Sequence, residues 1–353
     1  MSIADRPPSS IPSAAPPAAL VASPHPYAHL TPDVVLDALS SVGLYGDGRL
    51  LALSSYENRV YLAHLESPVA HGGEHSAAVV AKFYRPGRWS RAQILEEHAF
   101  AAELAAAEVP MVAPLPLAGQ TLFHFEGFDF SISPRRGGRG PELDDFEVLE
   151  WIGRLMARLH AVGAAQPFRH RPALDADAFA REPRDWLLRH DVIPPDARGA
   201  WEQAFEAALA LAARALDTPV RQIRLHGDCH PGNILWTPDA GPHFVDLDDA
   251  RTGAAVQDLW MLASGDRGQR TRQWSALLDG YESLREFDRR ELALVEPLRT
   301  LRLIHYSAWL ARRWDDPAFQ AAFPWFGSSA YWHGQVQMLR EQAEAMQEDP
   351  LSV

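Results

Sequence analysis

The stretch His226-Gly227-Asp228-Cys229-His230-Pro231-Gly232-Asn233, followed after a short apolar run by Asp246-Leu247-Asp248, decides how this chain is to be read. Ile234-Leu235-Trp236 reads as a short buried strand and His243-Phe244-Val245 as its hairpin partner, with Pro238-Asp239-Ala240-Gly241-Pro242 supplying turn residues between them. Such a hairpin returns Asp246 to the neighbourhood of Asn233. Three oxygen-bearing side chains, Asp228, Asn233 and Asp246, are thereby held on one short unit.

That set suits phosphoryl transfer, which asks a protein for position and charge neutralisation rather than covalent chemistry. In such a loop an Asp orients or deprotonates the acceptor hydroxyl, an Asn five residues later ligates Mg²⁺, and a second Asp after the next strands bridges metal and ATP phosphates. Asp228, Asn233 and Asp246 stand in that order and spacing. A few hard oxygen donors beside phosphates and water are also what Mg²⁺ prefers. A zinc reading of His226, Asp228, Cys229 and His230 competes in the same window. Zinc sites take more widely spaced Cys and His ligands, and the chain has no second Cys. A merely structural polar turn leaves Asp246 unexplained. Taken singly, His226 is expected to brace the loop by hydrogen bonds and Cys229 to pack.

An ATP site there calls for a strand Lys and a helical acid upstream. Ala77-Ala78-Val79-Val80-Ala81-Lys82-Phe83-Tyr84 has a buried-strand pattern with one Lys near its end. A helix expected from Gln93 to Ala107 carries Glu96 and Glu97; Glu97, three residues before Phe100 and seven before Leu104, is the chosen partner for Lys82, with the adjacent Glu96 left open. No G-x-G-x-x-G precedes Lys82. Instead, the polar turn after Leu51-Ala52-Leu53 offers backbone N–H groups and the Ser55 hydroxyl to a phosphate.

Together these residues resemble the aminoglycoside phosphotransferase and choline kinase superfamily, whose loop reads HGDxxxxN. The blocks SSYENRVY (54–61), AKFYRPGRWSRAQILEEH (81–98), RLHGDCHPGNILW (224–236), FVDLDDARTGAAVQDLWML (244–262) and EPLRTLRLIHYSAWLARRW (296–314) are similar to the bacterial stress response kinases within it. The similarity runs from about Leu30 to Pro350. It implies an α+β, bilobal protein-kinase-like fold: a small antiparallel-sheet N-lobe with one main helix, and a larger, mostly helical C-lobe. It further implies a cytoplasmic, ATP- and Mg²⁺-dependent Ser/Thr protein kinase that protects against oxidative and envelope stress, acting on protein substrates and on itself. By the same resemblance Asp228 is the proton acceptor, Asn233 a Mg²⁺ ligand, Asp246 a Mg²⁺ ligand essential to catalysis, and Ser55 an ATP contact. Gly227 stands where many protein kinases have the Arg of H-R-D, and Leu247 and Asp248 replace the Phe and Gly of D-F-G. Catalysis is therefore expected not to need activation-loop phosphorylation. Two other readings stay open: a small-molecule kinase using the same ATP machinery, and a catalytically weak ATP-binding regulator. The intact set of Lys82, Asp228, Asn233 and Asp246 argues against the last.

Composition agrees with an enzyme of two lobes, since 353 residues can build two cores. No apolar run is long enough to cross a bilayer. Residues Met1 to Pro26 are rich in Pro, Ala and Ser, lack the features of a secretory signal, and read as a disordered tail. The expected division is a tail over 1–27, an ATP-binding lobe over 28–133 and a catalytic and substrate lobe over 134–353. A single Cys excludes an internal disulfide and is compatible with the cytosol. A formal charge of −13 argues against nucleic acid and leaves room for basic acceptors, whether aminoglycoside or protein. A monomer is the default, and no membrane partner is expected.

For organisation, Leu30 to Val42 has helical spacing, and strands are expected near Leu51, Val60, Val79 and from Phe123 to Ile132, the last leading to a hinge at Pro134. His71-Gly72-Gly73-Glu74 reads as a hairpin loop. Phe146, Leu149, Ile152, Leu155, Met156 and Leu159 mark a helix ending near His160, which is expected to pack under the catalytic loop. Further helices are expected over Trp201–Leu216, Val256–Leu262, Trp274–Leu284 and Glu291–Arg313. Asp258 either braces the loop or serves a helix N-terminus. Trp309, Trp314, Trp325 and Trp332 read as core, and Arg135-Arg136 and Arg312-Arg313 as solvated faces.

Overall fold

The computed structural model describes residues 25–71 and 74–353. Of the expected tail, residues 1–24 lie outside the described residues, as do Gly72 and Gly73 of the expected hairpin loop. Five strands, β1 (Gly46–Ala52), β2 (Arg59–His71), β3 (Glu74–Phe83), β4 (Phe123–Phe125) and β5 (Phe128–Pro134), form one antiparallel sheet in the order β1-β2-β3-β5-β4. Side chains alternate across a strand, so Val79, Ala81 and Phe83 of β3 bury on one face with Phe128, Phe130 and Ile132 of β5. Phe83 stacks on Phe130 with centroids 5.3 Å apart. The same parity sends Lys82 to the opposite face, toward the second lobe.

Helix α1 (Pro32–Ser41) covers the apolar face; Thr31 caps it and Pro32 occupies its first turn, where a missing N–H costs nothing. Helix α2 (Arg91–Ala106) lies on the other face and starts with a capping box between Ser90 and Gln93. Tyr27, assigned to the tail on composition, is buried: its hydroxyl donates to the carbonyls of Glu57 and Phe83, and its ring stacks on Phe128.

The second lobe is built from α3 (Phe146–Gly163), α4 (Glu182–Arg189), α5 (Pro195–Leu216), α6 (Arg267–Glu282), α7 (Val295–Ala311), α8 (Pro317–Ala322) and α9 (Ser329–Ala345). Two small ladders are set into it, β6 (Ile223–Leu225) with β9 (Arg251–Gly253), and β7 (Ile234–Thr237) with β8 (Gly241–Phe244). Helices α3 and α6 meet backbone to backbone; a Cβ on Gly153 would stand 2.1 Å from the Leu277 carbonyl oxygen. The bilobal α+β architecture implied by the resemblance is thus the one observed.

Three local expectations need correction. Val256–Leu262 forms two 3₁₀ turns, Ala255–Asp258 and Trp260–Leu262, rather than an α-helix. Its buried residues Val256, Leu259 and Leu262 recur at intervals of three, the period of that tighter helix. The expected helix over Glu291–Arg313 is split into a 3₁₀ turn, Arg289–Leu294, and α7. Trp332 is core, but Trp325 is 45% exposed and rests on Tyr331 at the surface. No helix among the described residues is long and apolar enough to cross a membrane.

Candidate active site

The loop after β6 is held from below. The Asp258 carboxylate accepts from the backbone N–H groups of His226 at 2.7 Å and Gly227 at 2.8 Å, and lies 3.3 Å from His160 Nε2. His160 therefore packs under the loop as expected, and of the two roles left open for Asp258 the bracing one is observed. His226 Nε2 is 2.9 Å from the Val245 carbonyl, tying the loop to the end of the β7–β8 hairpin. Cys229 packs in the core beside Met156, and burial pushes its thiol pKa well up. A buried neutral thiol and an engaged His226 ring do not make the zinc set considered above. Among the described residues no group of three or more His, Cys, Asp or Glu is arranged to hold a metal.

The Asn233 side-chain amide donates to the Asp228 carbonyl at 2.9 Å, which leaves its own oxygen available as a ligand. Val245 N donates to the Asn233 carbonyl at 3.0 Å, so the hairpin does return Asp246 to Asn233. Asp246 itself adopts a left-handed conformation with φ 63° and ψ 70°, sparsely populated for a non-glycine residue and a form of strain that concentrates at functional sites. One Asn oxygen and one half-exposed carboxylate suit Mg²⁺, which keeps water and phosphate oxygens as its other ligands.

Across the cleft, Lys82 Nζ is 2.8 Å from Asp246 Oδ1, 3.2 Å from Asp248 Oδ1 and 3.9 Å from Glu97 Oε1. Burial opposes the charge on Lys82, but the three carboxylates outweigh it and hold its pKa well above the usual lysine value. Glu97, not Glu96, faces Lys82. Glu96 instead accepts the backbone N–H groups of Arg169, His170 and Arg171 at 2.6 to 2.8 Å, joining α2 to the second lobe. Burial raises the Glu97 carboxyl to about 7 against the pull of Lys82 and Arg171.

Asp248, read in the sequence only as a replacement for a glycine, is a working part of this cluster. Burial pushes its pKa up, yet Arg88 and Lys82 hold it down at about 2. Arg88 bonds both Asp248 and Asp249, and Arg251 Nη2 lies 2.6 Å from Asp249. The doubled acid in Asp248-Asp249 and the Arg85/Arg88 pair before α2 were the available sequence signals. Arg302 of α7 was missed altogether: its Nη1 donates to Asp228 Oδ1 at 2.5 Å.

The turn between β1 and β2 is clamped to the far lobe. Glu57 accepts from Trp309 Nε1 at 2.5 Å and pairs with Arg85 at 3.0 Å and Arg313 at 2.7 Å. Buried Asp316, after α7, pairs with Arg59 at 2.6 Å and Arg85 at 3.0 Å. Arg313 is therefore not the solvated residue expected, because Glu57 draws it inward; Arg312 does lie on an outer face, paired with Glu182. A cavity of about 710 Å³ opens beneath the turn, lined by Ser55, Lys82, Asp228, Asn233, Asp246 and Arg302 among others. Every residue put forward from the sequence for the site, apart from the open choice of Glu96, thus lines one cleft between the lobes.

Residues 49–295 match the model of the phosphotransferase enzyme family, which is more than half of the chain. The chain belongs to that family. Within it, the chain is 44% identical over 324 residues to stress response kinase A of Escherichia coli (strain K12), covering 92% of this chain and 96% of that one. Over the same coverage it is 44% identical to the serine/threonine protein kinase RdoA of Salmonella typhimurium (strain LT2). Among solved structures, an amicoumacin kinase in complex with AMP-PNP, Ca²⁺ and Ami superimposes with a TM-score of 0.67 at 17% identity, covering 91% of this chain and 94% of that one, a likeness of fold. The kinase resemblance stated from the sequence is thereby shown, and phosphotransferase chemistry follows for this family member.

Proposed function

We propose that this phosphotransferase is an ATP- and Mg²⁺-dependent serine/threonine protein kinase of the cytoplasmic stress response, acting as a monomer, with the lobes dividing near Pro134. The observation that carries the reading is the convergence of Lys82, Asp246 and Asp228 on one cleft, with Asn233 hydrogen-bonded to the Asp228 backbone. In this reading Lys82, positioned by Glu97, holds the ATP phosphates, and the Ser55 turn covers them. Asn233 and Asp246 hold Mg²⁺, which when bound neutralises charge on the transferring phosphoryl group. Asp228 orients the acceptor hydroxyl and takes its proton. The word "protein" before "kinase" is supported by the relative named as a serine/threonine protein kinase, 44% identical to this chain.

The test is transfer of label from ATP with Mg²⁺ to the protein itself, to a generic protein and to a panel of small alcohols, comparing wild type with Asp228→Ala. Label on Ser or Thr that disappears in the variant is the expected result. Label confined to a small molecule replaces this reading with that of a small-molecule kinase, and nucleotide binding without any transfer replaces it with that of a regulator.

A further inference from the structure

We infer that Arg302 selects acceptors that carry a negative charge beside the hydroxyl to be phosphorylated, so that the preferred segment is a Ser or Thr flanked by Asp, Glu or a phosphorylated residue. The inference rests on the reading of Asp228 as the residue that meets the acceptor hydroxyl. Arg302 Nη1 donates to Asp228 Oδ1 at 2.5 Å, and this is its one side-chain hydrogen bond among the described residues. A guanidinium has five N–H donors in a planar fork. The Arg302 side chain is 43% exposed and lines the cavity, leaving donors for an oxyanion beside Asp228.

The wall around it has the matching composition. Leu298, Leu301, Arg302, His305, Tyr306 and Trp309 recur at intervals of three and one, so α7 presents them to the cavity as one face. That face contains no carboxylate. The other acids of the cavity are committed to cations: Asp246 and Asp248 to Lys82, Asp249 to Arg88 and Arg251, and Glu57 to Arg85 and Arg313. Glu97 lies deep beside Lys82 and Arg171. A polycationic acceptor approaching Asp228 would meet Arg302 beside it and no carboxylate on the α7 wall, which is discrimination by repulsion. An anionic acceptor meets a half-used guanidinium.

The overall charge of −13 points the other way, toward basic acceptors. Surface charges are screened beyond about 8 to 10 Å at ordinary ionic strength, whereas a guanidinium in direct contact with the acceptor is not. Contact chemistry therefore decides. One guanidinium shared between Asp228 and the acceptor anion also fixes where the hydroxyl stands relative to Asp228.

The experiment compares one serine peptide flanked by Asp or Glu with the same peptide flanked by Lys, using the full chain with Mg²⁺ and ATP, for wild type, Arg302→Ala and Arg302→Glu. A charge-assisted contact is worth about tenfold or more in kcat/KM. Wild type is expected to favour the acidic peptide by at least about that factor, mainly through KM; Arg302→Ala erases the preference, and Arg302→Glu shifts it to the Lys peptide. Binding of ATP by each variant serves as the control for folding. Equal loss on both peptides with the preference unchanged, or a wild-type preference for Lys, overturns the inference and leaves Arg302 as a positioning residue for Asp228. If no peptide is labelled, the protein-kinase reading fails, and the same comparison is made with hydroxy acids against amino alcohols. Transfer to hydroxy acids that depends on Arg302 upholds the inference there; transfer to amino alcohols, or to neither, overturns it.

Discussion

Lys82 Nζ lies 2.8 Å from Asp246 Oδ1, although 164 residues separate them in the chain. The pair spans the cleft from β3 to the end of the β7–β8 hairpin and brings the proposed phosphate-binding cation onto the proposed metal ligand. We predict that Lys82→Met and Asp246→Asn each lower kcat/KM by about 10² or more, as loss of a preorganised charge does. Because the two groups touch, the double variant should lose less than the product of the single losses. Steady-state kinetics on the four proteins of the cycle would reveal independence if the losses simply multiplied.

Gly227 has φ +87°, and a Cβ there would stand 2.0 Å from the Asp249 carbonyl oxygen. The loop backbone leaves no room for the Arg that many protein kinases carry at this place. Gly227→Ala is predicted to cost about 2 kcal/mol or more of stability through strain and overlap. Urea denaturation measures it, and a shift of a few tenths would show that the loop relaxes freely.

Turnover of ATP should be unchanged by phosphatase treatment of the purified enzyme. Asp258, rather than an Arg–phosphate pair, braces the loop by accepting from the N–H groups of His226 and Gly227. Loss of activity on dephosphorylation would refute this.

Asp316→Ala leaves Arg59 and buried Arg85 without their shared carboxylate. Arg85 keeps Glu57 and Arg59 keeps the Tyr56 carbonyl, so the cost is expected to be about 1–3 kcal/mol, below that of a buried charge left with no partner. The same change loosens the turn carrying Ser55, so the KM for ATP is expected to rise. Denaturation and ATP kinetics measured together check both effects; a stability loss with an unmoved KM would separate the clamp from the nucleotide.

Glu291 supplies a pH test. Burial raises its carboxyl from the usual 4.5 to about 7, although Val256 N donates to it at 2.8 Å. The folded chain therefore holds a proton that the unfolded chain has already released above about pH 4.5, so this residue's contribution becomes less favourable as pH rises toward about 7. At about 1.4 kcal/mol per unit the effect is on the order of 3 kcal/mol. Glu291→Gln keeps an acceptor for Val256 and should be relatively more stable than wild type at pH 8 than at pH 5. Equal differences at the two pH values in thermal or urea melts would contradict it.

Much of the site was legible because it is local. His226 to Asn233, the β7–β8 hairpin and Asp246 lie within about twenty residues, and turn chemistry with strand parity suffices to bring them together. Glu97 was a near choice against Glu96, since neighbouring helix positions differ by only about 100° and either could turn toward β3. The structure separates them by what each meets, Lys82 for Glu97 and three backbone N–H groups for Glu96. The 3₁₀ character of Val256–Leu262 was also present in its interval of three, but over seven residues that interval is easily taken for an α-helical one.

The sequence by itself determined the family, through the blocks that resemble it, and the juxtaposition of Asp228, Asn233 and Asp246, because short-range spacing and alternating burial dictate that hairpin. Only the tertiary structure decided which cations meet which acids. Arg302 reaches Asp228 across 74 residues, Arg88 reaches Asp248 across 160, and Arg59 reaches Asp316 across 257. Such pairs leave no periodic trace in sequence: a long flexible side chain reads the same whether it ends in solvent or on a buried carboxylate. For Arg302 it is the contact of α7 with the catalytic loop that chooses between the two.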